Sequence, residues 1–459
     1  MRAALQRERS LLAQILVTVA GAGASRVLLL LAVLLAARAL GPDGFGVFAL
    51  GQTTVLLVGA TLTLGQPVTL SRGLARDAGS APLQVRRAFR RVLVAVGPVL
   101  LLSVLLADAL AQVVPTALPA VLLPVAALGA TAFALGELVT SSYQGLLLAR
   151  SAAVFQALRA LAGCLFLGVA LLLTRRPELL LLALAVADLL AVCAGAYRLR
   201  LRLTAGAEQP SAPARSTDAA LAGRAFTAGL VLQVCLWGSQ VLLAQASLAE
   251  VGLFAFSYRC VQVLLFAPAA AAPLLLPRLT ARTGDRYASD PAKVYAALSA
   301  VVVVPAGVVL AALAPWLADL QGAGYEGTVA PLRWLTLLPV VIVGNNVLSQ
   351  LALARGRDSA WLVSDVVLSV GLLAVAAILV PTHGAVGLAL AHVAGYAASC
   401  ACLLVPVSRR REVRVGTGGS VGPSSGPSRR AQSAAPQGSA DAVATAGGHR
   451  RARKRKLFT

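Results

Sequence analysis

Two arginines interrupt apolar runs that have little room for charge. Arg26 lies between residues 10–25 and 27–40, each too short to cross a bilayer alone, and Arg259 lies within "VGLFAFSYRCVQVLLF". An arginine at mid-membrane costs about 2.5–3.5 kcal/mol on insertion scales, so each requires a buried partner or an aqueous cavity. A guanidinium keeps its charge and grips phosphate or carboxylate through paired N–H groups, so anion binding is the chemistry these residues offer. The structural alternative is an ion pair with Glu137 or Asp188. Arg333, in the first turn of its segment, and Arg159, near the end of its own, are further candidates for ligand contact. Gln233, Trp237 and Gln240 share one helical face at i, i+4, i+7, as do Glu137, Ser141 and Gln144, while Asn346 and Gln350 form an i, i+4 pair. Asp365 is placed where a cation or proton could bind, although the segment carrying Gln233 offers no acid to complete a cage.

The elements that position these residues are membrane helices. At 58% hydrophobic and 13% charged, 459 residues hold more apolar surface than a soluble domain of that size could bury. About 20 apolar residues cross a bilayer. Twelve such segments are expected near 12–37, 46–70, 92–114, 118–142, 151–174, 178–198, 224–246, 250–276, 293–315, 328–352, 358–380 and 384–406. No period of two runs through them, so a helical bundle is expected rather than a barrel. The six cysteines fall inside these segments with no histidine beside Cys400 and Cys402, so neither metal nor cofactor is expected. The apolar run after Met1 resumes at Val27, which reads as an uncleaved span rather than a secretory leader.

Basic residues set the orientation. Every connection from an even to an odd span is basic: Arg72, Arg76, Arg86, Arg87, Arg90 and Arg91; Arg150; Arg198, Arg200, Arg202, Arg215 and Arg224; Arg278, Arg282, Arg286 and Lys293; Arg355 and Arg357. The opposite connections are short and poor in basic residues, holding Arg38, Arg175 and Arg176 but also Asp43, Glu178, Glu250, Asp319 and Glu326. Both termini are therefore expected in the cytoplasm of a multi-pass plasma-membrane protein. Residues 409–459 hold twelve Lys/Arg against Glu412 and Asp441 in a Gly/Ser/Pro/Ala-rich stretch, the composition of a disordered, solvated cytoplasmic tail that reinforces the orientation, with attraction to anionic lipid as the alternative. With the net charge of +22 explained by topology and tail, nucleic acid is not an expected partner.

An internal repeat divides the chain. "GFGVFAL" at 44–50 returns as "EVGLFAF" at 250–256, and "QGLLLAR" at 144–150 is echoed by "QLALAR" at 350–355. Six spans separate the copies, which gives two parallel lobes related by a pseudo-twofold along the membrane normal. The expected divisions are an N-terminal six-helix lobe at 10–204, a linker at 205–223, a C-terminal six-helix lobe at 224–408 and the tail at 409–459. In "ALGPDGFGVFAL", Pro42 cannot continue the first helix and Gly41 and Gly44 accept unusual backbone angles, so the stretch reads as a stiff hairpin.

"ARALGPDGFGVFALGQ", "LAEVGLFAFSYR", "APLLLPRLTA", "LRWLTLLP" through "LALARGR", and "HGAVGLALAHV" together resemble the polysaccharide flippases, the O-antigen and teichoic-acid exporter group of the superfamily that also holds lipid II flippases and multidrug extruders. The resemblance covers about 10–408. It implies two six-helix lobes around a central cavity that pass a polyprenyl-diphosphate-linked oligosaccharide between leaflets by alternating access, for cell-surface polysaccharide synthesis. Arg26 and Arg259 match, by span alone, the cavity arginines of lipid II flippases. The partners implied are that lipid-linked glycan, membrane lipids, and the glycosyltransferases and polymerase of the same pathway. A cation-coupled exporter of small amphipathic molecules is the alternative on the same fold.

A glycan-assembly enzyme of the membrane is the alternative of a different class. Lys293, Lys454 and Lys456 are the only lysines and none precedes Ser or Thr, which excludes a P-loop. No two acids lie closer than five residues, which disfavours a metal-dependent glycosyltransferase. A transporter without catalytic residues is therefore expected.

Overall fold

A computed structural model of the chain describes residues 2–77, 79–108, 119–205, 219–265, 268, 290–354 and 357–408. The backbone of Arg26 falls within the first helix, while its side chain lies outside the described residues. Arg278, Arg282, Arg286, Arg355, most of the 205–223 linker and the basic tail lie outside the described residues.

The described residues contain no strand. In chain order the helices are α1 (Arg2–Thr63), α2 (Gln66–Arg76), α3 (Ala81–Leu105), α4 (Leu122–Gly145), α5 (Ala149–Leu173), α6 (Pro177–Ala205), α7 (Ala219–Ala246), α8 (Leu248–Gln262), α9 (Asp290–Gln321), α10 (Val329–Leu335), α11 (Leu338–Ala354) and α12 (Asp358–Ser408). Among the described residues, ten segments are long and apolar enough to cross a membrane. Two of them bend sharply, one in α1 at Gly41 (φ 69°) and one in α12 at Gly384 (φ 53°), so each supplies two spans and the ten segments give twelve. Span two turns again at Leu64 and Gly65, both at positive φ, before α2 continues it. Span ten is broken between α10 and α11.

The helices form two bundles. Within α1–α6, α4 is the centre, packing on α1, α2, α3 and α6; within α7–α12, α12 packs on α7, α8, α10 and α11. The bundles meet chiefly where α1 lies against α7 and α8.

The apolar cores show how the bundles join. At the end that carries the Gly41 and Gly384 bends, one core runs through both lobes, from Ala36, Phe45, Phe48, Leu122 and Leu180 to Val251, Phe254, Leu335 and Leu388. At the end nearer the chain termini there are two cores instead. Leu70, Val85, Leu138, Phe155 and Leu199 serve the first lobe, while Tyr295, Val303 and Val343 serve the second. The lobes also touch near that end, where Gly65 abuts the Ala222 carbonyl.

The repeat lies at the shared end. Built on Gly46, a methyl group would run into the carbonyl of Leu248; built on Gly252, it would run into the carbonyl of Pro42. Both the glycines and the carbonyls are 206 residues apart, so this is one contact made twice across the pseudo-twofold. The sequence suggested a hairpin that braces its own two helices through Gly41 and Gly44. Gly41 does form the bend, but the repeated glycine at 46 and 252 brings one lobe's backbone against the other's. Tyr325 adds a hydrogen bond to the Ala37 carbonyl (2.8 Å), Arg38 one to the Leu320 carbonyl (3.2 Å), and Glu250 accepts from the Ala385 N–H (2.7 Å) where α12 restarts.

Candidate functional site

Near mid-depth, a cavity of about 430 Å³ opens between α1, α4, α5, α6 and α8. Its polar wall consists of Gln52, Glu137, Gln156, Arg159, Asp188 and Arg259, among apolar residues such as Val55, Phe133 and Leu184. Helix geometry explains the meeting. At 1.5 Å per residue, Asp188 lies about 17 Å along α6 and Arg259 about 17 Å along α8, both counted from the bent end, and Arg159 lies about 15 Å along α5 from the other. Helices that run in opposite directions thus deliver these charges to one level.

Arg159 and Asp188 form a bidentate pair, Nε to Oδ1 at 3.0 Å and Nη2 to Oδ2 at 2.9 Å. Glu137 Oε1 stands 3.8 Å from Arg159 Nη1, and the guanidinium also lies over the Phe133 ring at 5.9 Å. Gln156 donates to Thr140 Oγ1 at 3.0 Å. This cluster belongs wholly to the first lobe.

Arg259 comes from the second lobe. Its Nη2 donates to Gln52 Oε1 of the first lobe at 2.6 Å, and its Nη1 to Gln262 Oε1 at 3.3 Å. Beside Gln52 the seam between the lobes continues, with Trp237 Nε1 donating to Thr54 Oγ1 at 3.0 Å and Thr53 Oγ1 within 3.2 Å of Gln240 Oε1.

Of the residues singled out in the sequence, the fold brings Arg259 and Glu137 into the cavity and sets Trp237 and Gln240 in the adjoining seam. Gln233 is half-buried on α7 outside the cavity lining. Arg333 is exposed on α10 and does not line it either. Glu137 and Asp188 both pair with Arg159. In span ten a cross-helix bond is made by Asn345, which accepts from Ser399 at 2.9 Å.

The sequence reading passed over Gln52, Thr53, Thr54 and Gln156. The first three had a signal: "QTT" is a run of three polar residues inside an apolar span, where each polar group needs a partner. Gln156 had none, because a single glutamine near a span end reads as an interfacial residue.

The cavity presents two guanidinium groups, one neutralised by a carboxylate pair and the other held by amide oxygens. It can receive an anion at Arg259 while Gln52 and Gln156 offer hydrogen bonds to a polyhydroxylated group.

Among families of known proteins, the one described as polysaccharide biosynthesis protein matches residues 11–281. No curated protein sequence matches the chain. Among solved structures, an inward-facing multidrug resistance MATE family transporter of the MOP superfamily aligns with a TM-score of 0.69 at 16% identity, covering 83% of this chain and 94% of its own. A MOP superfamily transporter from Pyrococcus furiosus, whose binding pocket is described as of reverse polarity, gives 0.66 at 15%, covering 86% and 94%. The lipid II flippase MurJ in an inward closed conformation gives 0.63 at 12%, covering 84% and 86%. At such identities the likeness concerns the fold: two six-helix lobes around a central cavity.

Proposed function

The chain belongs to the polysaccharide biosynthesis protein family, and from that membership we propose that it moves a polyprenyl-diphosphate-linked oligosaccharide from the inner to the outer leaflet of the plasma membrane by alternating access, without catalysing a reaction. The observation that carries this reading is Arg259: a cation of the second lobe reaches a cavity built by the first and is held there by Gln52. A group bound at Arg259 would touch both lobes at once, which lets binding bias their relative position. Gln52 and Gln156 suit hydroxyl-rich sugar, while the polyprenyl chain would remain in lipid between the lobes. Arg26 is proposed as a second contact to the diphosphate, with Glu137, Gln233, Trp237 and Gln240 along the sugar's path and Arg333 near the exit. Both termini face the cytoplasm in this reading, as the alternation of basic connections indicates. The lobes are assigned to 10–204 and 224–408.

The test is Arg259→Ala and Arg259→Gln in cells that depend on this chain for surface glycan. We expect lipid-linked glycan to accumulate on the cytoplasmic side and surface glycan to fall about tenfold or more, the loss of one charge-assisted contact at about 1.4 kcal/mol per decade, with protein abundance unchanged. Normal surface glycan in both variants would overturn the reading. A second reading, cation-coupled export of small amphipathic molecules, is favoured by the carboxylates Glu137 and Asp188 in the same cavity, where a coupling cation could bind. It predicts sensitivity to amphipathic drugs with surface glycan intact.

A further inference from the structure

Outside the central cavity, the groove between α5 and α6 near the end that carries the chain termini has a different character. It encloses about 510 Å³ and is lined by Arg150, Arg198 and Arg202 with Ser151, over a floor that includes Val154 and Leu158. We propose that this groove binds the phosphate headgroup of an anionic phospholipid, whose acyl chain lies along α5.

Charge is the first reason. Arg198 and Arg202 are one turn apart on α6 and so project from the same face, while Arg150 enters from the first turn of α5. No carboxylate among the described residues lines the groove. Among the described residues, none forms an ion pair with Arg150, Arg198 or Arg202, so the three arginines gather without an acid to offset them there. Like charges kept together in this way favour an external anion, and guanidinium groups are suited to phosphate oxygens.

Position is the second reason. Val154, Leu158, Leu161, Leu165, Val169 and Leu172 are all exposed and fall at intervals of three or four on α5, forming one apolar stripe that begins at the basic groove. The stripe runs about 27 Å at 1.5 Å per residue, nearly the thickness of the hydrocarbon core. A basic pocket at the head of an apolar stripe fits a lipid rather than a soluble phosphate. Tyr143, buried behind the groove, donates to the Gly195 carbonyl at 3.0 Å and ties α4 to α6.

The second lobe repeats this basic cluster only in part, with Arg355 at the end of "QLALAR" echoing Arg150. At the displacement of 206 that relates the lobes, Arg198 and Arg202 correspond to Leu404 and Ser408. The site therefore distinguishes two otherwise matching bundles and would hold the first lobe against the anionic leaflet. This inference stands apart from the substrate assigned to the central cavity.

Native mass spectrometry of the full-length chain, titrated in detergent with phosphatidylglycerol, phosphatidylcholine or inorganic phosphate, provides the test. The triple variant R150Q/R198Q/R202Q is compared with R72Q/R86Q/R87Q, which removes equal charge from exposed positions elsewhere. We expect the tightest phosphatidylglycerol adduct of the parent chain to weaken about tenfold or more in the first variant, given the contribution of each basic residue near an anionic surface, and to persist in the second. R198Q alone should shift it in the same direction by less, which keeps the test open should the triple variant fold poorly. Equal weakening in both triple variants, equal binding of phosphatidylcholine, or displacement of phosphatidylglycerol by millimolar inorganic phosphate would each overturn the assignment.

Discussion

Arg159 holds two carboxylates near the middle of a membrane protein, and its removal would strand both. Breaking a buried ion pair from one side costs about 3–5 kcal/mol; here Glu137 and Asp188 remain about one-third exposed, at 34% and 32%, so the cost should fall below that range. We expect Arg159→Ala to lower the thermal stability of the detergent-solubilised protein clearly. Adding Glu137→Gln and Asp188→Asn should restore most of it, and a triple variant as unstable as the single one would show that the pair is not the cause. Arg159→Lys should recover only part, since an ammonium group cannot reproduce the two parallel bonds to Asp188. The sequence marked Arg159 as a minor candidate and Asp188 as a possible partner for other arginines. Choosing among partners requires three-dimensional proximity, because residues on α4, α5 and α6 have no fixed spacing along the chain.

Helix bends carry the next level of organisation. Gly41 adopts φ 69°, ψ 175° and Gly384 φ 53°, ψ −130°, conformations that residues with a side chain reach only under strain. A methyl group on Gly41 would meet nothing within 4 Å, so Gly41→Ala should cost only the conformational strain, about 1–3 kcal/mol. On Gly384 it would lie 2.6 Å from Glu250 Oε2, the atom that accepts from the Ala385 N–H. Gly384→Ala should therefore be the more destabilising of the two in thermal unfolding. A smaller loss than in Gly41→Ala would show that the Glu250 contact contributes little. Gly-Pro at 41–42 announced the first bend in the sequence, and the division between the segments expected at 358–380 and 384–406 placed the second, although "THGAVG" does not mark which residue turns, since glycine is common inside membrane helices.

Across the whole molecule, the reciprocal contacts of Gly46 with Leu248 and Gly252 with Pro42 close the end where the two lobes share one core. Because each glycine abuts backbone, no side-chain rearrangement can make room for a methyl group. Gly46→Ala and Gly252→Ala are expected to push the lobes apart there and to favour a conformation open at that end. Spin labels at Asp43 and Asp319, both exposed near it, would report the change in a background with the native cysteines replaced by alanine. A longer distance distribution is expected in either variant. An unchanged distribution would mean that this contact does not hold the end shut. The separate cores at the other end are consistent with lobes that move about this shared seam.

Composition alone determined that the chain crosses a membrane, because that much apolar surface has no other stable solvent, and the lengths of the apolar segments together with the 206-residue echo gave twelve spans in two parallel halves. Those signals are local or periodic and survive without coordinates. Tertiary structure alone decided that Arg259 meets Gln52, that Arg159 takes both acids, and that the repeated glycines face one another across the lobes. Such contacts depend on how helices far apart in sequence are rotated and staggered, and an apolar span of nearly uniform hydrophobicity leaves that rotation unmarked until the helices pack.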